Sequence, residues 1–236
     1  MQLSVKHAAT LLNVSEKTIY RWIKQEVIPA YRINEQFRFN RAELLEWATS
    51  RRIKISPDIF LEEEATNGLL PSLSDALKAG GVAYRVGGAD IPSVLRAVVD
   101  VLNLPEEVDR DFLFQVLQAR ETLGSTGIGD GIAIPHVRNP VVLHVTKPSV
   151  TLCFLERPID FRAIDGQHVS TLFTLISPTV RAHLHMLSRL GFVLQNQGFK
   201  AALKRQASRD ELMAALSSAE AEIPPVNTNH SEGAAQ

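Results

Sequence analysis

The chain has 236 residues, 45% of them hydrophobic, and a formal net charge of -1, enough length and apolar content for one or two packed domains. No stretch approaches the ~18 apolar residues of a membrane span, and the opening MQLSVKHAATLLNV lacks the charged head, apolar core and cleavage site of a signal peptide. These features exclude a helical membrane protein and lead us to expect a soluble, cytoplasmic one.

The near-zero charge hides an asymmetry. Residues 1–54 carry ten Lys/Arg against five Glu, and the remainder carries fifteen against twenty-one acidic residues. A basic head on an acidic body suggests two modules with different partners. The single cysteine, Cys153, lies in the alternating run VTLCFL and is expected in the core.

In chain order, Ser4 is placed to cap a helix through Leu12, Asn13-Val14 to turn, and Ser15 to cap a second helix to about Gln25. Pro29 stops helical continuation. Ala30 to Ile33 and Phe37 to Phe39 alternate as strands of a hairpin around Asn34-Glu35-Gln36. Asn40 with Glu43 has the form of a capping box for a third helix to about Arg52. Val5, Ala8, Leu12, Val14, Ile19, Trp22, Ile23, Leu44 and Trp47 are spaced to form one small core, which leaves Lys17, Thr18, Arg21 and Lys24 on the opposite face of the second helix. Such residues can reach base edges and phosphates in a major groove, and Arg32 and Arg38 of the hairpin can straddle backbone phosphate.

The stretch LSVKHAATLLNVSEKTIYRWIKQEVIPAYRINEQFRFNRAELLEW resembles the excisionase or MerR-type winged helix-turn-helix, which implies DNA as a partner of residues 1–54. One ~50-residue module binds DNA weakly, so a homodimer or neighbouring sites are expected to be needed.

Residues 55–68, with an acidic run and a closing Asn-Gly, read as a linker. From 69 to 218, helical and strand periods alternate: helices at Asp90 to Leu102 and Glu106 to Ala119, strands at Ile132 to Pro135, Ser149 to Leu155 and Val169 to Ile176, then helices at Arg181 to Gln195 and Arg209 to Ser217. This alternation predicts an α/β sandwich. Residues 219–236, polar and proline-containing, are expected to be a disordered tail.

The stretch GSTGIGDGIAIPH carries the chemistry. Gly127, Gly129 and Gly131 fit neither a dinucleotide fingerprint nor a Walker loop. Their use is steric: they let the backbone turn sharply and leave open space beside the short strand that ends at His136. A neutral imidazole is a good nucleophile whose phosphoramidate can pass the phosphoryl group on. Such a site also needs positive charge and donors for three phosphoryl oxygens, and Arg120, Ser125 and Thr126 lie just upstream.

The segments RETLGSTGIGDGIAIPH, LERPIDFRAIDGQHV, TLFTLISP and AHLHMLSRLGFVL, in this order, resemble the fructose/mannitol/nitrogen-related enzyme IIA proteins of the sugar phosphotransferase system. The resemblance implies an α/β fold with a mixed sheet flanked by helices, here preceded by the small winged domain. It implies that His136 accepts phosphate from the phosphocarrier HPr, that His183 lies beside it and that Arg120 assists. A IIB domain or a regulatory target is implied as the next partner.

His185, two residues from His183, cannot face the same site and reads as a surface or packing residue, as do His7, His144, His168 and His230. Val137 stands where the family usually has a small residue, and its bulk is expected to narrow access for a docking partner. No cysteine cluster or His-x-x-x-His pair points to a metal, and no bound cofactor is implied. Three functions remain open: a regulator that couples phosphorylation to DNA or partner binding, a phosphocarrier feeding a IIB component, and a DNA-binding protein with a silent IIA scaffold.

Overall fold

The computed structural model describes residues 2–33, 36–51, 53, 70–137 and 145–223. The expected linker, 55–68, lies wholly outside them, as do Asn34 and Glu35 of the hairpin loop, His144 and His230.

In the head, α1 (Val5–Leu11) and α2 (Glu16–Lys24) begin where the serines place them. Ser4 Oγ accepts from His7 N and Ser15 Oγ from Thr18 N, satisfying amides that the first turn of a helix leaves free. Between them Asn13 takes a left-handed φ of 50°, which asparagine tolerates better than most residues. Strands β2 (Tyr31–Ile33) and β3 (Gln36–Asn40) form the expected hairpin, and α3 (Arg41–Ser50) follows, with Glu43 N donating to Asn40 Oδ1 at 3.5 Å. Strand β1 (Gln2–Ser4), which pairs antiparallel with β3, is not expected from the sequence. Three residues are too few to show alternation.

The head core closes on Val5, Ala8, Leu12, Ile19, Phe39 and Leu44, all buried, with Val14, Trp22, Ile23 and Trp47 packed around them. Helix α3 is buried on more than one side: Leu44, Leu45 and Ala48 are all inaccessible and Thr49 nearly so. A short helix with no exposed apolar-to-polar division lies between two packed layers. On one side is the head and on the other the body.

The body opens with α4 (Leu73–Gly80) and β4 (Val82–Val86), neither expected from the sequence because both are short. Gly80 is needed where they meet: a Cβ there would lie 2.2 Å from the Val150 carbonyl oxygen, so only glycine lets α4 approach the sheet this closely. Helix α5 (Ile91–Val101) has a full capping box between Asp90 and Ser93. Helix α6 (Arg110–Thr122) starts four residues later than expected because Asp109, not an earlier residue, accepts from Phe112 N.

The glycine stretch is a hairpin. Strands β5 (Gly127–Gly129) and β6 (Ile132–Ala133) pair antiparallel, with Gly129 opposite Ile132, leaving Asp130-Gly131 as a two-residue turn. Asp130 and Gly131 have φ of 53° and 71°, the double left-handed conformation that makes Asp-Gly a favoured hairpin turn. Strand β7 (Ser149–Ile159) runs beyond its expected end, with a register shift against β8 (Val169–Ile176).

Among the described residues the sheet order is β4-β7-β8-β6-β5, with parallel β4/β7 and β8/β6 pairs and antiparallel β7/β8 and β6/β5 pairs. This is the expected mixed sheet. Alternation sends Val150, Leu152 and Phe154 to one core and Cys153 and Leu155 to the other. Cys153 is wholly buried as expected, and burial pushes its thiol up to about 12.

Helices α7 (Val180–Val193), α8 (Gln197–Lys204) and α9 (Arg209–Ala221) complete the body. Helix α8, which opens on Gln197-Gly198, is not expected from the sequence. Helix α9 runs past the expected boundary at 218 because Ala219 and Ile223 are buried and Glu220 accepts from the amides of Leu73 and Ser74 and from Arg189. Residues 219–223 therefore belong to the body, and the rest of the expected tail, 224–236, lies outside the described residues.

Candidate phosphoacceptor site

His136 sits where β6 gives out. Pro135 has no N–H to extend the ladder, so its carbonyl accepts from Leu175 N at 3.2 Å and His136 makes one parallel bridge to Leu175 of β8. His136 is 3% exposed. Its Nδ1 lies 2.7 Å from the Ile134 carbonyl oxygen, which can only accept, so Nδ1 carries the proton. Nε2 is therefore the nitrogen available for bonding.

His183, in the first turns of α7 behind the Thr179 cap, lies beside His136 with ring centroids 5.1 Å apart. Burial is the largest influence on it, and the neighbouring His136 and Arg120 act in the same direction. Together they outweigh Glu46 and take His183 down to about 3. His183 is thus neutral at cytosolic pH and can donate a hydrogen bond without adding charge.

Arg120, in the last turn of α6, fixes one arm by donating from Nη1 to the Gly124 carbonyl at 2.9 Å. Its other arm reaches a residue that no motif in the sequence marks. Nη2 donates to Glu46 Oε2 of α3 at 3.0 Å, and Glu46 Oε1 lies 3.2 Å from His136 Nε2. His136 Nε2 has no hydrogen-bond partner among the described residues, so this is a close contact rather than a hydrogen bond. Burial pushes the Glu46 carboxyl up, but His136, Arg120 and His183 together hold it down to about 2.

Ser125 and Thr126 are close in sequence but otherwise engaged. Ser125 Oγ donates to the Phe161 carbonyl and accepts from Gly127 N at 2.9 Å. Thr126 donates from its hydroxyl and its amide to Glu121, at 2.6 and 2.9 Å. With both hydroxyl protons committed to protein acceptors, these residues hold the glycine loop in shape. Val137 is fully buried in the core, so its bulk is taken up in packing and does not narrow the site's mouth. His185 is buried, with its Nε2 accepting from Arg189 Nε at 3.0 Å, whereas His168 and His7 are exposed.

Glu46, His136 and His183 bring ligand atoms within 4.8 Å of one another, a grouping that sequence spacing could not show. Such a trio has the donors for a cation, but the Arg120 guanidinium already balances its carboxylate.

On the head, Lys17, Arg21, Lys24 and Arg32 are exposed. Thr18 is half-buried, its hydroxyl 3.0 Å from that of Ser15, and half-buried Arg38 donates to Gln36 at 2.6 Å. The docked α3 therefore leaves the basic face of α2 open. No helix among the described residues is long and apolar enough to cross a membrane.

Residues 76–219 match the family described as phosphoenolpyruvate-dependent sugar phosphotransferase system, EIIA 2, and residues 3–52 match a helix-turn-helix domain. The chain is 33% identical over 144 residues to the nitrogen regulatory protein of Pseudomonas aeruginosa, covering 59% of this chain and 91% of the relative. It is 38% identical over 113 residues to the Escherichia coli protein of the same name, covering 47% and 66%. Among solved structures it is similar to the nitrogen regulatory protein IIA-Ntr from Neisseria meningitidis, with a TM-score of 0.51 and 28% identity over 66% of this chain and 99% of that one.

Proposed function

The chain belongs to the phosphoenolpyruvate-dependent sugar phosphotransferase system EIIA 2 family, and on that premise we propose that it is a regulator. It takes a phosphoryl group from an HPr-like carrier onto His136 and couples the added charge to DNA or partner binding by its head. The observation that carries this reading is the joining of a complete His136, His183 and Arg120 site to a helix-turn-helix domain with an exposed basic helix. Its similarity to proteins named nitrogen regulatory favours regulation over uptake.

The transfer exchanges one P–N bond for another. The Nε2 lone pair of His136 attacks the phosphorus of the donor's phosphohistidine. The donor's P–N bond breaks and its electron pair returns to the donor nitrogen. The Nδ1 proton remains hydrogen-bonded to the Ile134 carbonyl, so the ring needs no external base. Arg120 offsets the arriving charge, and the neutral His183 offers a donor without competing for the phosphoryl group. A phosphoryl group adds about -1.5 to -2 charge at pH 7, enough to reorganise any carboxylate beside it.

The test is incubation with phosphoenolpyruvate, enzyme I and HPr, read by intact mass, followed by retention on a pool of duplex DNA before and after phosphorylation. The regulator gains one long-lived phosphoryl group and its DNA retention changes. Rapid loss to an added IIB domain, with unchanged retention, would identify a phosphocarrier instead. No mass gain, with a control IIA protein phosphorylated alongside, would leave a DNA-binding protein on a silent scaffold.

A further inference from the structure

The phosphoacceptor of this chain is occupied from within. Glu46 belongs to the helix-turn-helix domain, yet its two carboxylate oxygens bridge the nucleophilic nitrogen and the cation of the other domain, at 3.2 Å from His136 Nε2 and 3.0 Å from Arg120 Nη2. These are the partners a transferred phosphoryl group requires, one for its phosphorus and one for its oxygens. We infer that Glu46 is an intramolecular plug, so that docking of the head through α3 and phosphorylation of His136 are mutually exclusive. The inference rests on the phosphoacceptor reading of His136 and specifies how that site is regulated.

Two features make the exclusion physical. The first is steric: a donor must bring phosphorus onto Nε2, and a carboxylate oxygen 3.2 Å away occupies space that the phosphoryl group would fill. The second is charge: a phosphoryl group on Nε2 would lie directly against the Glu46 carboxylate. The carboxyl is held down to about 2, so it keeps its charge at any cytosolic pH and cannot relieve the repulsion by protonating.

The contact is not a stray surface ion pair. The Glu46 side chain is 13% exposed, and its helix packs against α7 and β5 in one apolar cluster with the head core and the core on one face of the body sheet. Because the coupling is reciprocal, whatever factor docking removes from phosphorylation, phosphorylation removes from docking. Phosphoryl transfer would therefore release the head, whose DNA-facing α2 is already exposed, from a fixed position to a free one. The signal is orientation rather than uncovering of the basic face.

Two readouts on the full chain test this. In the first, the initial rate of phosphorylation at subsaturating HPr is compared among wild type, Glu46→Gln and Glu46→Ala. The plug predicts a rate at least ten-fold higher for Glu46→Ala than for wild type, with the same single-phosphoryl endpoint, and an intermediate rate for Glu46→Gln. The second is independent of phosphotransfer: carbethoxylation of His136 by diethyl pyrocarbonate, followed by peptide mass, should be slow in wild type and at least ten-fold faster in Glu46→Ala. Glu46→Gln keeps the side-chain volume, and an unfolding midpoint matching wild type guards against a folding defect. Equal His136 reactivity in wild type and Glu46→Ala would overturn the plug whatever the phosphorylation result. Released reactivity with no phosphorylation of either protein would uphold the plug and overturn the phosphoacceptor reading.

Discussion

Replacing Arg120 by alanine is expected to slow phosphoryl transfer to His136 by on the order of 10²–10³-fold, the cost of removing one preorganised charge donor from a buried site. The guanidinium is anchored through Nη1 to the Gly124 carbonyl, so Nη2 is held toward the developing charge before the donor arrives. Arg120→Lys should recover little of the loss, because a point charge on a flexible stem cannot hold the loop and the anion together. Arg120 also anchors Glu46, so its removal from the wild-type chain would loosen the plug and mask part of the defect. The comparison therefore belongs in the Glu46→Ala chain, measured as initial phosphorylation rate with and without the second substitution. An unchanged rate would remove Arg120 from the phosphoryl site and leave it only the partner of Glu46.

His183 should make the protein sensitive to mild acid. Its imidazole titrates at 6.5 in the unfolded chain and is driven down to about 3 in the folded one by burial first and by its neighbours His136 and Arg120 second. Between those values the unfolded chain binds the extra proton, so stability is fully present above about 6.5 and is lost as the pH falls toward 3. At about 1.36 kcal/mol per pH unit, wild type should lose roughly 2 kcal/mol between pH 8 and pH 5, above the range where most carboxylates titrate. His183→Gln cannot take up the proton and should show a flatter profile over this interval. Urea unfolding of both proteins at several pH values is the measurement. Parallel profiles would mean that His183 is hydrated or protonated in the folded chain.

Much of this molecule was legible from local chemistry. Ser4, Ser15 and Asp90 mark helix starts because a short polar side chain answers amides three residues on, and that relation needs no knowledge of the rest of the fold. His136 was legible because a strand closed by proline must change course there. The turn chemistry of Asp130-Gly131 is present as well, although three alternating glycines suggest open space as readily as a hairpin. What local chemistry could not reveal was any relation between distant segments. Glu46 looks like an ordinary carboxylate on a small helix, and only the docking of α3 against α7 and β5 brings it to His136. The roles of Ser125 and Thr126 depend likewise on Phe161 and on Glu121, one helical turn upstream, whose side chain folds back into the loop. Proximity in sequence suggested phosphate ligands, and hydrogen bonding made them supports of the loop.

His136 is expected to accept phosphate on the nitrogen that Glu46 now covers. The most direct test is to phosphorylate the full chain with phosphoenolpyruvate, enzyme I and HPr and to assign the modified nitrogen by nitrogen-15 and phosphorus-31 NMR, with His136→Ala as the control. The geometry predicts a single phosphoryl group on Nε2 of His136, absent from the control, with Nδ1 still bonded to the Ile134 carbonyl. Phosphate on Nδ1, on His183, or retained in His136→Ala would contradict it.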